Sequence, residues 1–238
     1  MRRLGLFAPG EYYHLLARGN YKQKIFLDED DYIRFLFLIL YSQLIESIPH
    51  IGRTVDLFKK HKLHKDDSHH GQHPVLTAIE DKIAKRRLVE LSGFCLMPNH
   101  FHLIIKEVEE GGISRYMQKI LNGFTKYHNT KREKKGHLFE GPFKAVHVKT
   151  DGQLLYLSAY VHRNPREFKK WKDKEIEYMW SSYQDHAIGN RWGQLLTCDM
   201  ISGDFKSGEE YMKAVEDSGA KEELEDVLEE VFPDKWFE

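Results

Sequence analysis

Apolar and polar residues follow each other along the chain in patterns that predict strands and helices. The stretch Tyr12–Asn20, "YYHLLARGN", predicts a strand closed by a glycine turn. Leu27–Ser47 begins with acidic residues and continues with apolar residues at helical spacing, which predicts a helix with a favourable N-terminal charge. Two apolar runs, "RLVELSGFCLM" and "FHLIIKEV", flank Pro98 and Asn99. They predict a β-hairpin with His100 at the start of its second strand.

The pattern predicts further helices around this hairpin and one more strand. Val75–Lys85 and Gly112–Arg132 have the apolar spacing of amphipathic helices. The segment "GHLFEGPFKAVHVKT" contains two glycine turns followed by a strand pattern. Thr150 and Gln153 have the spacing of a capping box, and the helix that they open should end at Pro165. The order of these elements predicts an α+β fold, a mostly antiparallel sheet flanked by helices.

Two segments do not fit this single domain. Residues 50–74 are polar and rich in histidine, which predicts an inserted loop with a short helical piece. Beyond residue 190 the chain becomes acidic, with helical patterns near Glu209–Asp217 and Lys221–Val231. We therefore predict a main domain over residues 1–190 and an acidic helical C-terminal extension over residues 191–238.

Composition is consistent with one soluble domain of ordinary size. The chain has 238 residues, of which 41% are hydrophobic and 31% are charged. No apolar run reaches the roughly 18 residues that a membrane span requires, and the N-terminus is too short for a signal peptide. The two cysteines, Cys95 and Cys198, cannot form a disulfide framework. A reducing cytoplasm is therefore the expected location.

The formal net charge of −1 hides an asymmetry along the chain. Residues 203–238 contain 13 acidic and 4 basic side chains, a net charge of −9, so residues 1–202 carry +8. The densest basic segment is Arg115–Lys149, with 9 basic and 2 acidic side chains. A basic body with an acidic tail is typical of proteins that bind nucleic acid. A solvated helix face would give the same composition, so charge alone does not decide.

Two histidines in the hairpin are the first candidates for chemistry. In a strand, His100 and His102 point to the same side, opposite to Phe101 and Leu103. Two imidazoles at this spacing can bind one divalent metal ion. Two half-exposed surface histidines would have the same spacing, so both interpretations stay open at this point.

A second candidate lies on the helix before Pro165. Tyr160 and Asn164 are four residues apart and therefore share one face of that helix. Tyr156 lies one turn earlier on the same face, so it is a rival for any role given to Tyr160. Core packing is the ordinary alternative for all three residues.

Four sequence blocks and their order along the chain support a family resemblance. They are "LMPNHFHLII", "GHLFEGPFKAVHV", "YLSAYVHRNP" and "WSSYQDHAIG". The chain resembles the single-tyrosine HUH transposases, and within them the insertion-sequence-200-like group that includes the REP-associated tyrosine transposases. "ARGNYKQKIFLDEDDYIRFL" is similar to the opening strand, turn and helix of that group. The resemblance covers about Tyr12 to Gly189. It does not extend to the acidic tail, and the histidine-rich insertion is longer than is usual there.

The resemblance implies a ferredoxin-like or RRM-like HUH endonuclease fold. It implies that His100 and His102 bind a divalent metal ion, Mg or Mn, and that Asn164 completes this site. Tyr160 then matches the nucleophile, which cleaves and rejoins single-stranded or hairpin DNA through a 5′-phosphotyrosine. Lysine, His162 or water are the candidates for accepting the tyrosine proton. Related enzymes occur both as homodimers that exchange the tyrosine helix and as monomers.

The basic segment then acquires a function, because phosphate contacts require cations. We expect Arg163 to reach the phosphate under attack. The other predicted DNA-binding residues are Arg115, Lys119, Lys126, Lys131, Arg132, Lys134, Lys135 and Lys144. Two rival functions remain. One is a metal-dependent nuclease that forms no covalent intermediate, and the other is a catalytically inactive module that binds structured single-stranded DNA.

Overall fold

The computed structural model of the protein describes residues 7–63, 73–203 and 205–218. Its strands are β1 (Tyr12–Arg18), β2 (Val89–Met97), β3 (His100–Glu107) and β4 (Lys144–Val148). Its helices are α1 (Glu29–Tyr41), α2 (Ile51–Phe58), α3 (Pro74–Lys85), α4 (Gly112–Lys131), α5 (Asp151–Arg163), α6 (Tyr183–Ala187), α7 (Asp199–Ser202) and α8 (Gly208–Asp217).

The strands form one sheet in the order β2-β3-β1-β4, and every pair is antiparallel. The ferredoxin-like pattern is visible in the chain order β1, α1, β2, β3, α4, β4, with α2 and α3 added after α1. The predicted α+β fold with an antiparallel sheet is therefore confirmed. The register pairs Leu16 with His102 and Arg18 with His100, so these four side chains share one face of the sheet.

The two faces of the sheet have different coverings. On one face, Phe101 of β3 packs against Phe35 of α1, with ring centres 4.7 Å apart, and α4 packs beside α1. On the other face, His102 packs against Tyr160 of α5, with ring centres 5.5 Å apart. Alternation along β3 therefore separates an apolar core from the two histidines, as the sequence predicts.

Helix α1 ends six residues earlier than its apolar pattern predicts. Tyr41 is its last residue and Ser42 its C-cap. The buried side chain of Gln43 donates to the carbonyl oxygens of Leu40 and Leu195, at 2.9 and 2.7 Å. Since these tertiary contacts hold the chain after Tyr41, the apolar residues that follow pack against the core outside a helix.

The insertion and the C-terminal part are only partly described. Residues 51–58 form α2 and residues 59–63 a π-helical turn, while the rest of the insertion up to residue 72 lies outside the described residues. Helix α8 matches the first helix predicted in the tail, and the second lies outside the described residues. Trp192, Ile201 and Tyr211 are buried in the same hydrophobic core as the sheet. No helix among the described residues is long and apolar enough to cross a bilayer.

Candidate active site

The hairpin of β2 and β3 brings His100 and His102 side by side. Their ring centres are 4.9 Å apart and the rings are almost perpendicular. His102 is completely buried and His100 is half-buried. The structure thus brings the two predicted imidazoles together on the face of the sheet that α5 covers.

Helix α5 places Tyr160 and Asn164 over these imidazoles. The Tyr160 ring meets that of His102 edge to face. The Asn164 carboxamide lies near both imidazoles, where its hydrogen bonding opposes the larger lowering of their pKa values by desolvation. The helix ends there because Pro165 cannot continue it.

A third imidazole, that of His14, belongs to the site and was missed at the sequence level. His14 lies on β1, and its Nε2 is 2.8 Å from Nδ1 of His102. It is fully buried, with its ring centre 6.1 Å from that of Tyr160. The signal in the sequence was the alternation of His14, Leu16 and Arg18, which puts two polar residues on one side of a buried strand.

The hydrogen bonds of His100 and His102, the two predicted metal-binding histidines, leave one ring nitrogen of each available to bind a metal ion. Nδ1 of His100 donates to Oδ1 of Asn99, at 2.7 Å, and Nδ1 of His102 faces His14. The Nε2 atoms of His100 and His102 are buried, and among the described residues neither has a hydrogen-bond partner of good geometry, although the Asn164 carboxamide lies near both rings. Buried polar atoms ordinarily find a partner, so two adjacent exceptions point to an absent ligand.

Burial keeps these imidazoles neutral. Desolvation lowers the pKa of His14 to about 3 and that of His100 to about 4, and it lowers the pKa of His102 well below its usual value. A metal ligand must be the neutral imidazole, so the histidines fit a divalent ion together with the Asn164 amide. No group of three His, Cys, Asp or Glu side chains in the described ranges is arranged to hold a metal ion.

A small cavity gives access to the site from outside. It is lined by Tyr160, Arg163, Asn164, Arg166 and Glu167. Tyr160 itself is only 6% exposed, and its remaining accessible surface borders this cavity.

Tyr156, the rival tyrosine, has a different environment. It is 46% exposed and lines a separate groove between α5 and α8, together with Phe205 and Ser218. One helical turn therefore separates a tyrosine beside the imidazoles from a tyrosine outside the site.

The comparisons with known proteins bear on this geometry. A family model described as "Transposase IS200 like" matches residues 59–164, which include both histidines of β3, Tyr160 and Asn164. The matched segment, somewhat less than half of the chain, is similar to the IS200-like transposases. A solved structure described as "Structure of the REP associates tyrosine transposase bound to a REP hairpin" is 13% identical, with a TM-score of 0.47 over 87% of this chain and 96% of that chain. No curated protein gives a significant match.

Several predicted DNA-binding residues make internal contacts. Lys119 donates to the carbonyl oxygens of Leu44, Ile45 and Glu46, at 2.6 to 2.9 Å. These contacts hold the chain after α1 and bury part of the Lys119 side chain, and this burial lowers the pKa of its ammonium group. This lysine therefore has a structural function whether or not DNA is bound.

Lys131 and Arg132 at the end of α4 form an ion-pair network with Asp28 and Asp31. Asp28 is the N-cap of α1 and forms a capping box with the buried Asp31, so the two cations stabilise the start of that helix. Arg115 pairs with Glu109, at 3.2 Å.

The other predicted DNA contacts are more open. Lys126, Lys134 and Lys135 are exposed, and Lys144 is half-buried at the start of β4. Arg163 lines the Tyr160 cavity, and its guanidinium donates to the Ser218 carbonyl oxygen.

His162, a candidate for accepting the tyrosine proton, points away from the site. Its Nδ1 bonds to Tyr211 Oη at 2.7 Å and its Nε2 to Ser182 Oγ at 2.8 Å. Both ring nitrogens are therefore occupied by the contact between α5, α6 and α8.

Arg18 is a cation of the site that sequence reasoning did not select. It lies opposite His100 in the register and is 5% exposed. Its guanidinium bonds to Glu140 at 3.0 Å, and its charge contributes to the lowered pKa of His100. Glu140 lies in the turn before β4, so only the folded chain brings these two side chains together.

Proposed function

We propose that this protein cleaves and rejoins single-stranded DNA by transesterification through a 5′-phosphotyrosine, with Tyr160 as the nucleophile. Hairpin DNA is the proposed substrate, and His100, His102 and Asn164 are the proposed ligands of a divalent ion, Mg or Mn. One observation carries the proposal: two buried imidazole Nε2 atoms without a partner lie beside a tyrosine in an accessible cavity.

The chemistry requires no nucleotide cofactor. The phenolic oxygen of Tyr160 bonds to the scissile phosphorus, the bond from phosphorus to the 3′ oxygen breaks, and the phenolic proton is released to water. The leaving 3′ oxygen takes up a proton and becomes a hydroxyl. A 3′ hydroxyl that attacks the phosphotyrosine later restores the DNA strand and the free tyrosine. Covalent catalysis of this kind divides one difficult step into two.

The proposed metal site is neutral. A bound divalent ion would polarise the phosphate oxygens. Imidazole and amide ligands bring no negative charge to it, and imidazole suits Mn²⁺ better than Mg²⁺. We therefore expect weak Mn²⁺ binding by the free protein and tighter binding when a DNA phosphate is present. Tight uptake by the free protein in a calorimetric titration would contradict this.

His14 has a positioning role in this proposal. For Nε2 of His102 to hold a metal, its proton must lie on Nδ1, which then donates to Nε2 of His14. A partner of this kind fixes the tautomer and the orientation of a metal ligand.

The DNA contacts and the domain boundary remain proposals as well. We assign phosphate contacts first to Lys126, Lys134, Lys135 and Arg163, whose positions support them best. We place the catalytic domain at residues 1–190, although the described part of the C-terminal segment shares its core.

The experiment uses the full chain with Mn²⁺ and single-stranded hairpin oligonucleotides, analysed on denaturing gels. We expect a covalent protein–DNA band that disappears in Tyr160→Phe and persists in Tyr156→Phe. The second variant is the matched control, because it removes the same hydroxyl one helical turn away.

The rival functions give other results. Cleaved product without a covalent band in the parent protein indicates a hydrolytic nuclease. Binding without any product indicates an inactive DNA-binding module. Loss of the band in Tyr156→Phe alone would transfer the nucleophile to Tyr156 and overturn the assignment.

A further inference from the structure

A short basic segment follows the active-site helix directly. Residues 168–174, "FKKWKDK", contain four lysines and one aspartate, and we call them the basic loop. Its lysines, Lys169, Lys170, Lys172 and Lys174, are all exposed. Within the described part of the chain none of them forms an ion pair, in contrast to Lys131 and Arg132 of α4.

The basic loop follows directly after two residues that line the Tyr160 cavity. Arg166 and Glu167, the residues immediately before it, line that cavity together with Tyr160. Helix α5 covers the face of the sheet that carries His100 and His102. The basic loop follows α5 in the chain, so it starts on that same face of the sheet. Helix α4, which carries four of the nine predicted DNA-binding residues, packs on the opposite face.

Both ends of the basic loop are anchored to the domain. Before the loop, Arg166 donates to the buried Glu175 carboxylate at 2.6 Å. Within it, the Trp171 ring packs edge to face on Tyr178, with ring centres 5.5 Å apart. Tyr178 in turn donates to the carbonyl oxygen of Leu96 on the edge strand β2, at 2.7 Å. The loop therefore presents its lysines on a supported surface.

We infer that the basic loop binds the sugar–phosphate backbone of the single strand that leaves the Tyr160 cavity. This inference rests on the proposed function, since the strand is that of the proposed substrate. Four exposed cations beside the cavity complement a chain of phosphates, and each lysine binds phosphate as a point charge. The part of α4 nearest to α1 contributes less, because its cations are already paired with Asp28 and Asp31.

The salt dependence of binding to single-stranded DNA measures how many phosphates the basic loop contacts. For single strands, each neutralised phosphate contributes about 0.7 to the slope of log K against log salt concentration. Replacing all four lysines with glutamine should therefore reduce the slope by roughly 2 to 3. The measurement is fluorescence anisotropy of a labelled single-stranded oligonucleotide between low and moderate NaCl, in the Tyr160→Phe background where no adduct forms.

A matched pair of double variants controls for total charge. Lys170→Gln with Lys172→Gln should lower the slope by about 1.4, because it removes two contacts. Lys82→Gln with Lys85→Gln removes the same charge from exposed positions on α3 and should leave the slope unchanged. Circular dichroism checks that all variants are folded.

The outcomes separate this inference from the proposed function. A slope that is the same in the four-lysine variant and its parent overturns the role of the loop, and so does an equal loss in the α3 control. An equal loss of affinity for a blunt duplex overturns the assignment to a single strand. If the loop governs binding but the parent forms no covalent band, the inference stands and the transesterification proposal fails.

Discussion

Two groups of buried histidines lie on either side of helix α5, and they differ in how their ring nitrogens are used. His100 and His102 each keep one buried nitrogen without a partner. His162 has both nitrogens bonded, to Tyr211 and Ser182, and its neighbour His186 bonds through Nε2 to the carbonyl oxygen of Ser92 at 2.9 Å. Burial lowers the pKa of all four imidazoles.

This difference in hydrogen bonding distinguishes the histidines of the candidate site, His100 and His102, from two structural histidines, His162 and His186, which we call the scaffold group. A lowered pKa is common to both groups, so this property does not indicate a ligand site by itself. Unpartnered ring nitrogens also occur elsewhere, as at Nδ1 of His186 and at both nitrogens of His128. Among the described residues, His100 and His102 differ in that their two unpartnered nitrogens come from neighbouring positions of one strand, beside a tyrosine and an amide. Two unpartnered imidazole nitrogens that lie close together therefore indicate a ligand site better than a lowered pKa does.

The largest expected effect is the loss of activity when a histidine of β3 is removed. His100→Ala should abolish the covalent band and measurable Mn²⁺ binding, while the domain stays folded because this side chain is half-buried. The band is measured on denaturing gels and Mn²⁺ binding by electron paramagnetic resonance. A covalent band as strong in His100→Ala as in the parent protein would contradict a catalytic role for the histidines of β3.

The corresponding change in the scaffold group should affect stability. His162→Ala deletes a fully buried ring and its two hydrogen bonds. We expect a loss of about 3 kcal/mol in the free energy of unfolding, from the cavity and the unpaired hydroxyls. Urea denaturation measures it. A loss under about 1 kcal/mol would show that this contact does not hold α5 against α8.

His14 is the residue that contacts a proposed metal ligand through a hydrogen bond, since its Nε2 lies 2.8 Å from Nδ1 of His102. His14→Phe removes the acceptor for Nδ1 of His102 and should weaken Mn²⁺ binding in the presence of DNA by about 10- to 100-fold. His14→Gln retains an acceptor and should restore most of the affinity. Equal affinities in the two variants would indicate that His14 only fills space. Calorimetry with Tyr160→Phe protein and uncleaved DNA gives the values.

The smallest effect concerns pH. The pKa of His186 is lowered to about 4 by burial, whereas an unfolded histidine titrates near 6.5. As pH falls below about 6.5, the unfolded state takes up a proton that the folded state does not, so stability decreases. His186→Gln, which can still donate to Ser92, should remove about 0.7 kcal/mol of the stability difference between pH 7 and pH 6.

Urea titrations of the parent and the variant at both pH values test this. The remaining buried histidines will keep part of the pH dependence in both proteins. An unchanged difference between pH 7 and pH 6 would mean that His186 titrates near 6.5 in the folded state.

Much of the fold follows from periodicity. The alternation in Tyr12–Arg18 and in His100–Glu107 predicts strands that the structure contains, and the spacing in Gly112–Lys131 predicts α4 almost to its ends. The end of α1 was not predictable in this way. It depends on hydrogen bonds from Gln43 to Leu195 and from Lys119 to the chain after Ser42, partners that are far away in the sequence.

The sequence by itself determined that His100 and His102 share a face and that Tyr160 and Asn164 share another. Both statements follow from the local geometry of one strand and one helix. Only the tertiary structure decided that the two faces meet, that His14 and Arg18 join them, and which lysines are already paired with acids. Those facts depend on the register of β1 with β3 and on the packing of α5 and α4, which local periodicity does not specify.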